Sequence, residues 1–156
     1  MMMIEVRAYQ PGDILMIDVQ DSQKYDAETA AFTHRLVTDR PHGAAVSFFA
    51  GQICVACGGI EPFPGAPYRA FGWALIGQPS RAGWGVLLRQ ARIMLDDGLM
   101  RYRRIETYCD AARPEQAAVL DRLGFQREGV MRGWGWQGQD CLLASLVRSD
   151  KKGTGS

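Results

Sequence analysis

Apolar and polar residues alternate over residues 4–9, and this alternation stops at a Pro-Gly pair. The pattern predicts a first strand, followed by a turn and a short helix over residues 13–19. Residues 26–39 contain neither glycine nor proline and are followed by Pro41, which predicts a longer helix that ends before this proline.

β-Branched and aromatic residues dominate the middle of the chain. Residues 45–49 and 53–60, separated by a short segment that contains a glycine, predict a hairpin. Residues 61–67 contain three prolines and are predicted to form a loop. Residues 68–77 offer little polar surface, which predicts a buried strand.

The second half of the chain combines helical and extended patterns. From Gly83 the apolar residues recur at helical spacing, with charged residues on the opposite side, and Gly98 is the predicted end of this helix. The following segments are predicted, in chain order, to be a strand over residues 104–110, a helix from Pro114 to the residue before Gly124, and two strands over residues 125–131 and 141–147.

No internal repeat or linker divides the sequence, and its 156 residues suit one domain. We therefore expect a single domain over residues 1–150 and a flexible tail over residues 151–156. The mixture of strands and helices predicts an α/β fold, of the mixed α+β type, in which helices cover both faces of a sheet.

The composition is that of an ordinary globular protein, with 47% apolar and 22% charged residues. A formal net charge of +1 gives no general attraction for nucleic acid, and the basic cluster of Arg101, Arg103 and Arg104 is expected to be solvated. No segment has the roughly 20 apolar residues that a membrane span requires, and the first residues lack the layout of a signal peptide. We therefore expect a cytoplasmic protein that binds neither nucleic acid nor membrane.

Four cysteines are too few for a disulfide scaffold in a chain of this length. Cys54 and Cys57 form a C-x-x-C pattern within a predicted strand, where a spacing of three directs the side chains to opposite faces. No shared metal is therefore expected there. Cys109 and Cys141 also lie in apolar, strand-like segments, so all four are predicted to be buried, reduced, structural thiols.

The segment from Leu123 to Gly129, Leu-Gly-Phe-Gln-Arg-Glu-Gly, connects a predicted helix to a predicted strand. Gly124 supplies a left-handed helix cap, and Phe125 then enters the core as the chain reverses. This segment resembles the L-G-F-x-x-E-G turn of the GCN5-related N-acetyltransferase (GNAT) superfamily. Together with the order of elements, the resemblance covers residues 68–148 well and residues 3–60 by order and length alone. It implies the GNAT fold, with about seven strands that are mostly antiparallel apart from a central parallel pair.

The resemblance implies a site for the pyrophosphate of acetyl-coenzyme A, which the family holds with a loop of Arg or Gln, two residues, Gly, one residue, and Gly or Ala. Aligned on Gly83 and Gly85, this sequence has Ser80 where the family has Arg or Gln, and Arg81 lies one place late. The start of a helix offers N–H groups and a partial positive charge to a phosphate, and Arg81 would add a charged contact. The alternative is that both glycines merely let the helix pack closely on the preceding strand.

The resemblance further implies that the pantetheine arm lies like an extra strand between residues 73–77 and 104–110, against the backbone of the first segment. Trp84 lies on the apolar side of the helix and is expected to contact the core rather than the ligand. The implied cofactor-binding residues are Leu75, Ile76, Gly77, Ser80, Arg81, Ala82, Gly83, Trp84, Gly85 and Val86.

Acetyl transfer to an amine needs a neutral amine, stabilisation of an oxyanion and a proton for the departing thiolate. A backbone N–H of residues 73–77 would meet the oxyanion. Many relatives carry a tyrosine acid and an asparagine at positions that correspond to Leu120 and Arg113 here, so the usual acid is missing. No catalytic residue is assigned.

Glu61, Glu106 and Asp110 are candidates for the base by residue type alone, and each is more often a solvated or capping residue. His34, in a predicted helix, and His42, in a predicted loop, are expected to be surface residues. No cluster of metal-ligating residues stands out by spacing, so no metal is expected.

Residues 128–140 also resemble, less closely, the C-terminal segments of acetyltransferase-like proteins of tailed phages and prophages, several of which are internal virion components. Trp134 and Trp136 in this segment would line an acceptor pocket or an oligomer contact. Alternatively, they are partly buried aromatic residues beside a hairpin turn.

Two functions follow from these observations. The first is an acetyl-coenzyme A-dependent N-acetyltransferase that acts on a small-molecule or protein amine by direct attack on the thioester, with residues 80–86 at the pyrophosphate. The second is a binding or virion-associated structural protein that keeps the fold without turnover, as Ser80, Arg113 and Leu120 at the family positions would indicate. A homodimer is compatible with both.

Overall fold

One sheet with the strand order β1-β2-β3-β4-β5-β7-β6 organises the computed structural model, which describes residues 3–18 and 43–149. The strands are β1 (Ile4–Ala8), β2 (Ala44–Ala50), β3 (Ile53–Phe63), β4 (Ala66–Ile76), β5 (Arg104–Asp110), β6 (Gln126–Met131) and β7 (Cys141–Val147). The helices are α1 (Arg81–Arg101), α2 (Pro114–Arg122) and the 3₁₀ helix η1 (Asp13–Met16).

Neighbouring strands in this sheet are antiparallel except β4 and β5, which run parallel. The predicted mixed sheet with seven strands and one central parallel pair is therefore confirmed. The crossover from β4 to β5 runs through α1, as a parallel connection requires. The helix predicted over residues 26–39, the tail over residues 151–156 and both histidines lie outside the described residues.

The two faces of the sheet have separate cores. On one face, which we call the helix face, α1 and α2 cover the strands, and Leu95 packs with Ile60 and Ile105. On the other, which we call the η1 face, Ile14 of η1 packs with Trp73 of β4. Each fully buried aliphatic side chain contributes about 1.5–3 kcal/mol to folding. Helical segments thus lie on both faces, as predicted.

Residues 61–67 do not form the loop that their prolines predicted. β3 continues to Phe63 and β4 begins at Ala66, so only a tight turn separates them. Gly65 in this turn has a φ of 74°, in the left-handed region that favours glycine. Pro62 lies where the pairing of β3 with β4 is irregular. A proline is tolerated at such a bulge because the residue there need not donate a backbone N–H to the neighbouring strand.

Cys54 and Cys57 point to the same face of β3, so the prediction from their spacing was wrong. The pairing of β2 with β3 shifts by one residue at this point, which leaves Val55 as an extra residue in β3. A bulge of this kind shifts the alternation of side chains by one. Both cysteines therefore enter the same buried cluster on the η1 face, and both are free thiols.

Gly98 lies inside α1 rather than at its predicted end. The residue is buried, and a Cβ at this position would lie 2.7 Å from Ile60 Cδ1 and 2.8 Å from Ile105 Cδ1. The glycine therefore lets α1 approach the sheet closely. The helix ends only at Arg101, because Tyr102 takes an extended conformation.

The Leu-Gly-Phe turn after α2 has the predicted conformation. Gly124 has a φ of 89°, and its N–H donates to the Asp121 carbonyl at 3.0 Å. The Phe125 N–H donates to the Leu120 carbonyl at 3.1 Å, and the Phe125 side chain is buried in the core. One left-handed residue thus ends the helix and starts β6.

We expect Gly98→Ala to be less stable than Gly85→Ala by about 1–3 kcal/mol, because the new methyl group overpacks a buried contact only at position 98. A Cβ at Gly85 meets no atom within 4 Å. Gly85→Ala should therefore stabilise the helix by about 1 kcal/mol, because alanine has a higher helix propensity than glycine and its methyl group meets no clash. Urea unfolding of both variants measures the difference, and equal stability would contradict the close approach of α1 to the sheet.

Candidate functional site

β4 and β5 pair over a short stretch only. Residues 69–71 of β4 pair with residues 104–106 of β5, and the pairing between these strands ends there. β4 nevertheless continues to Ile76 and β5 to Asp110. An opening, which we call the β4–β5 gap, therefore lies between the carboxyl-terminal ends of the two parallel strands.

A cavity of about 690 Å³ occupies this gap. Its lining includes Trp73 and Tyr108 from the η1 face, and Leu87 and Leu120 from the helices on the other face. Residues on both faces of the sheet therefore line the cavity. Its volume falls within the range of roughly 300–1,000 Å³ that is typical of small-molecule sites.

The backbone N–H and C=O groups of β4 point alternately toward β3 and toward β5. The Gly77 N–H donates to the Val55 carbonyl at the β3 side, and the Tyr68 carbonyl accepts from the Arg103 N–H at the β5 side, both at 2.9 Å. Backbone hydrogen-bonding groups alternate along a strand. The even-numbered residues over 72–76 therefore direct their N–H and C=O groups toward the gap.

Ser80 is the N-cap of α1, so the helix begins two residues before the predicted Gly83. The Ser80 side-chain oxygen accepts from the Gly83 N–H at 3.1 Å, and its carbonyl accepts from the Trp84 N–H at 2.9 Å. The N–H groups of Arg81 and Ala82 have no hydrogen-bond partner within residues 3–18 and 43–149. α1 thus presents two amides and the positive end of its dipole directly after β4.

The two glycines of the predicted pyrophosphate loop differ in their surroundings. A Cβ at Gly83 would lie 3.3 Å from Pro79 Cβ and from Ser80 Oγ, and 3.5 Å from Ile4 Cγ1, so this glycine serves close packing. A Cβ at Gly85 would meet no atom within 4 Å, and the residue is exposed. The packing alternative therefore accounts for Gly83 and leaves Gly85 without a structural reason.

The residues predicted to bind the cofactor divide into a cavity group and a helix-start group. Trp84 is half-buried and packs on the core as expected, although it also lines the cavity. Gly77 approaches other backbone closely, since a Cβ there would lie 2.9 Å from the Asp18 carbonyl oxygen. Leu75, Ile76 and Trp84 line the cavity. Val86 packs against the same core cluster as Ile76. The exposed residues at the helix start are Ser80, Arg81, Ala82 and Gly85.

Glu106 is buried and paired rather than solvated or capping, which corrects the prediction. Arg69 donates to its Oε1 at 2.7 Å, and Arg104 donates to its Oε2 at 2.6 Å. Burial alone would raise the pKa of Glu106, but these two hydrogen bonds hold it below the ordinary value. Glu106 is therefore an ionised, engaged group that is poorly suited to act as a base.

Arg104 is half-buried and paired, so its predicted place in a solvated basic cluster was wrong. Besides Glu106, it binds Glu128 on β6, with Nη1 donating to Oε1 at 2.8 Å. The Ser145 hydroxyl of β7 donates to the same oxygen at 3.0 Å. The Arg104 hydrogen bonds lower the pKa of Glu128 to about 2. These contacts tie β4, β5, β7 and β6 together at the paired end of the gap.

The other two candidate bases differ from each other. Glu61 is buried on β3 opposite Phe71, whereas a solvated or capping residue was predicted. Asp110 lies at the end of β5 and lines the cavity, and its Oδ1 accepts from the Ala112 N–H at 2.9 Å. Asp110 thus stabilises the turn before α2 and does not cap the helix, whose N-cap is Arg113.

Tyr108 and Cys109 of β5 line the cavity, and sequence reasoning did not single them out for chemistry. Burial raises the pKa of the Cys109 thiol to about 11, so it is protonated at neutral pH. Both residues therefore bring an exchangeable proton to the gap, whereas Leu120 offers none. Only their position on the part of β5 beyond the pairing with β4 distinguishes them, and that position depends on the sheet.

Trp134 and Trp136, in the connection between β6 and β7, are exposed rather than partly buried. Trp136 lines the cavity, and Trp134 packs edge-on against Tyr108. The second of the two sequence interpretations for these residues was therefore wrong.

Within residues 3–18 and 43–149, no group of three or more His, Cys, Asp or Glu side chains is placed to hold a metal ion. Among the helices of this described part of the chain, none is long and apolar enough to cross a membrane.

Many solved structures resemble this one. An acetyltransferase of the GNAT family from Bacillus anthracis has a TM-score of 0.67 and 16% identity over 92% of this chain and 94% of that chain. The ribosomal-protein-S5-alanine acetyltransferase from Vibrio fischeri has a TM-score of 0.68 and 14% identity over 94% of both chains. The microcin C7 self-immunity acetyltransferase MccE, in complex with acetyl-CoA and AMP, has a TM-score of 0.58 and 15% identity over 68% of this chain and 61% of that chain.

This chain has the GNAT fold. The fold predicted from the sequence is thereby confirmed, whereas the likeness to phage proteins stays a prediction. No protein-family model and no curated protein matches the sequence. At identities of 14–16% the likeness establishes the GNAT fold alone, so the function must be argued from the site.

Arg104→Met removes the shared partner of Glu106 and Glu128, and we expect it to destabilise the GNAT fold by about 1–3 kcal/mol at pH 7. Both carboxyl groups have a lowered pKa in the folded chain. Their contribution to stability is therefore present above about pH 4.5 and is lost as the pH falls toward about 2. Thermal unfolding from pH 7 to pH 2 should show the difference between parent and variant shrinking over this window.

Arg127→Met is the matched control, because it removes an exposed pair in which Arg127 Nη2 donates to Asp121 Oδ2 at 2.7 Å. Exposed pairs contribute little to stability, so this variant should remain close to the parent at pH 7. A cost of Arg104→Met that stays the same from pH 7 to pH 2 would contradict the role given to the two carboxylates.

Proposed function

We propose that this chain is an acetyl-coenzyme A-dependent N-acetyltransferase that transfers the acetyl group to an amine by direct attack on the thioester. The β4–β5 gap is the observation that carries this proposal, because its cavity reaches Ile76 and Trp84 on either side of the connection from β4 to α1. The acetyltransferases that share the fold support the same general chemistry.

The start of α1 fits a diphosphate group. The amides of Arg81 and Ala82 and the dipole of the helix favour an anion there. Gly85 leaves room for an approaching ligand, and the exposed Arg81 side chain adds a charged contact. Ser80 occupies the Gly83 amide with its own oxygen, so we expect fewer amides to reach the phosphate than in an intact family loop.

The gap fits an extended arm that carries amide groups. Residues 72–76 of β4 and 107–110 of β5 border it without pairing with each other, and an extended ligand with amides can bind between strands as an added strand would. We propose that the pantetheine arm lies there, beside Leu75 and Ile76 and with the thioester toward the cavity.

Acetyl-coenzyme A supplies an electrophilic thioester carbonyl to this site. The amine nitrogen forms the new C–N bond, the C–S bond breaks, and the proton that the nitrogen loses ends on the thiolate. A backbone N–H of β4 directed at the gap would stabilise the oxyanion. Tyr108 and Cys109 are our candidates for the group that delivers the proton, because a phenol and a thiol both carry an exchangeable proton and both line the cavity from β5.

A second candidate function is binding without turnover, either of coenzyme A or as a structural component of a larger assembly. Leu120, at the position of the family's tyrosine, packs with the core cluster that contains Leu95 and Ile105 and cannot donate a proton. Arg113, at the position of the family's asparagine, is the exposed N-cap of α2. A direct measurement of coenzyme A binding is therefore needed to evaluate both functions.

Acetyl-coenzyme A at about 100 times its Kd should stabilise the chain by about 2.7 kcal/mol, because only the folded state binds it. For a domain of this length the midpoint of thermal unfolding should then rise by roughly 5–11 °C. A thermal-shift titration measures this, and an unchanged midpoint at millimolar acetyl-coenzyme A would contradict the proposed function.

Gly85→Glu should weaken acetyl-coenzyme A binding by at least about tenfold, or about 1.4 kcal/mol, because it places a negative charge near the proposed diphosphate. Gly85→Ala is the matched control, since neither side chain meets an atom within 4 Å at its Cβ. Isothermal titration calorimetry compares the two. Similar affinities for both variants would show that the diphosphate does not bind at the start of α1.

Release of free coenzyme A, followed with a thiol reagent in the presence of an amine, separates the two functions. We expect amine-dependent release from the parent chain. Binding of acetyl-coenzyme A without any amine-dependent release, over a panel of small amines and peptides, would favour the second candidate.

A further inference from the structure

We infer that the acceptor is a primary amine carried on a planar aromatic group, bound on the η1 face of the β4–β5 gap. This inference rests on the proposed function, since it names the substrate class of the same site. It follows from an aromatic surface that begins on β4, crosses the gap and ends on the connection between β6 and β7.

The aromatic surface consists of Phe71, Tyr108 and Trp134, whose rings meet in sequence, and of Trp136, which lines the cavity from the same connection as Trp134. The ring of Phe71, on β4, lies 5.6 Å from the ring of Tyr108, on β5, with an angle of 32° between their planes. Tyr108 in turn meets Trp134 edge to face, with ring centroids 6.4 Å apart. The surface is therefore continuous across the gap, at the end of the paired stretch of the two strands.

The two tryptophans leave much of their surface in solvent. Trp134 is 59% exposed and Trp136 is 58% exposed, and Trp136 also lines the cavity. Large aromatic side chains that are fixed beside a cavity and remain exposed are typical of binding sites. A flat apolar group would remove this surface from water and stack on or against the rings.

The segment that carries the tryptophans is held in one conformation by its own backbone. The Gly135 N–H donates to the Gln139 carbonyl at 2.9 Å, and the Gly138 N–H donates to the Gly135 carbonyl at 2.8 Å. The Ala111 N–H, after β5, donates to the Asp140 carbonyl at 3.0 Å. The segment is thus fastened to the end of β5, so the aromatic surface is formed before a ligand binds, which favours affinity.

The charges beside the aromatic surface suit one amino group better than a polycation. In the described part of the chain, Asp110 and Glu115 are the carboxylates that line the cavity. Glu115 Oε1 lies 3.8 Å from Arg113 Nη1, so this carboxylate is paired with an arginine. Asp110 follows Tyr108 by two residues on β5 and is the carboxylate that we assign to the amino group. On the same face, Glu61 is buried opposite Phe71, and Glu106 is already neutralised by two arginines. A long polyamine would need several uncommitted carboxylates in a row.

The test compares amines by release of coenzyme A from acetyl-coenzyme A with the full chain. We expect kcat/KM for tryptamine and 2-phenylethylamine to exceed that for spermidine by at least about tenfold, the size of an effect set by one well-formed apolar contact. Equal or higher kcat/KM for spermidine would overturn the inference and leave the proposed function standing.

Trp136→Ala should raise KM for 2-phenylethylamine at least about tenfold, while Trp136→Phe should keep most of the binding because it retains a ring. Tyr68→Ala is the control, since Tyr68 is 56% exposed at the start of β4, away from the gap. Unfolding midpoints should stay unchanged in all three variants, and all three should still bind acetyl-coenzyme A. An unchanged KM in Trp136→Ala would overturn the inference.

A separate measurement detects the acceptor without turnover. Titration of 2-phenylethylamine should change the tryptophan fluorescence of the parent chain, and Trp136→Phe together with Trp134→Phe should reduce this change. Turnover of other amines with no fluorescence response to 2-phenylethylamine would overturn the aromatic class alone. Failure of acetyl-coenzyme A to bind would overturn both the proposed function and this inference.

Discussion

The short pairing of β4 with β5 is the constraint on which the site depends. Beside the gap each strand is paired with its outer neighbour, residues 70–76 of β4 with β3 and all of β5 with β7, yet β4 and β5 pair with each other over three residues only. The ion pairs from Arg69 and Arg104 to Glu106 fasten the paired end. The sheet therefore opens between β4 and β5 while both strands stay paired on their outer sides, and the cavity, the backbone of β4 and the side chains of Tyr108 and Cys109 meet at that opening.

Two positions on α1 show how the helix serves both packing and the proposed binding of acetyl-coenzyme A. Gly98 lets the helix lie close to Ile60 and Ile105, which fixes its direction over the sheet. The start of the helix then follows β4 directly, with Ser80 as its cap and the amides of Arg81 and Ala82 exposed. A serine cap stabilises the helix at the cost of one amide that a phosphate would otherwise use. The proposed diphosphate site would therefore rely on the amides of Arg81 and Ala82.

Much of the fold could be predicted from the sequence because it depends on local rules. Hydrophobic periodicity located the strands and both α-helices, and Gly124 identified the turn into β6. The errors arose where distant residues decide the outcome. A bulge at Val55 reversed the expected orientation of one cysteine, and a buried contact rather than a helix end explains Gly98. Glu106 is buried beside two arginines that neutralise it, Arg69 from β4 and Arg104 from its own strand, and periodicity does not reveal such partners.

Amide NMR spectra of the chain titrated with acetyl-coenzyme A would show whether the gap and the start of α1 together bind this molecule. We expect the largest shifts at Arg81, Ala82 and Gly85 and at residues 72–76 and 107–110. Shifts confined to other parts of the sheet, or none at these amides at saturating acetyl-coenzyme A, would contradict this expectation.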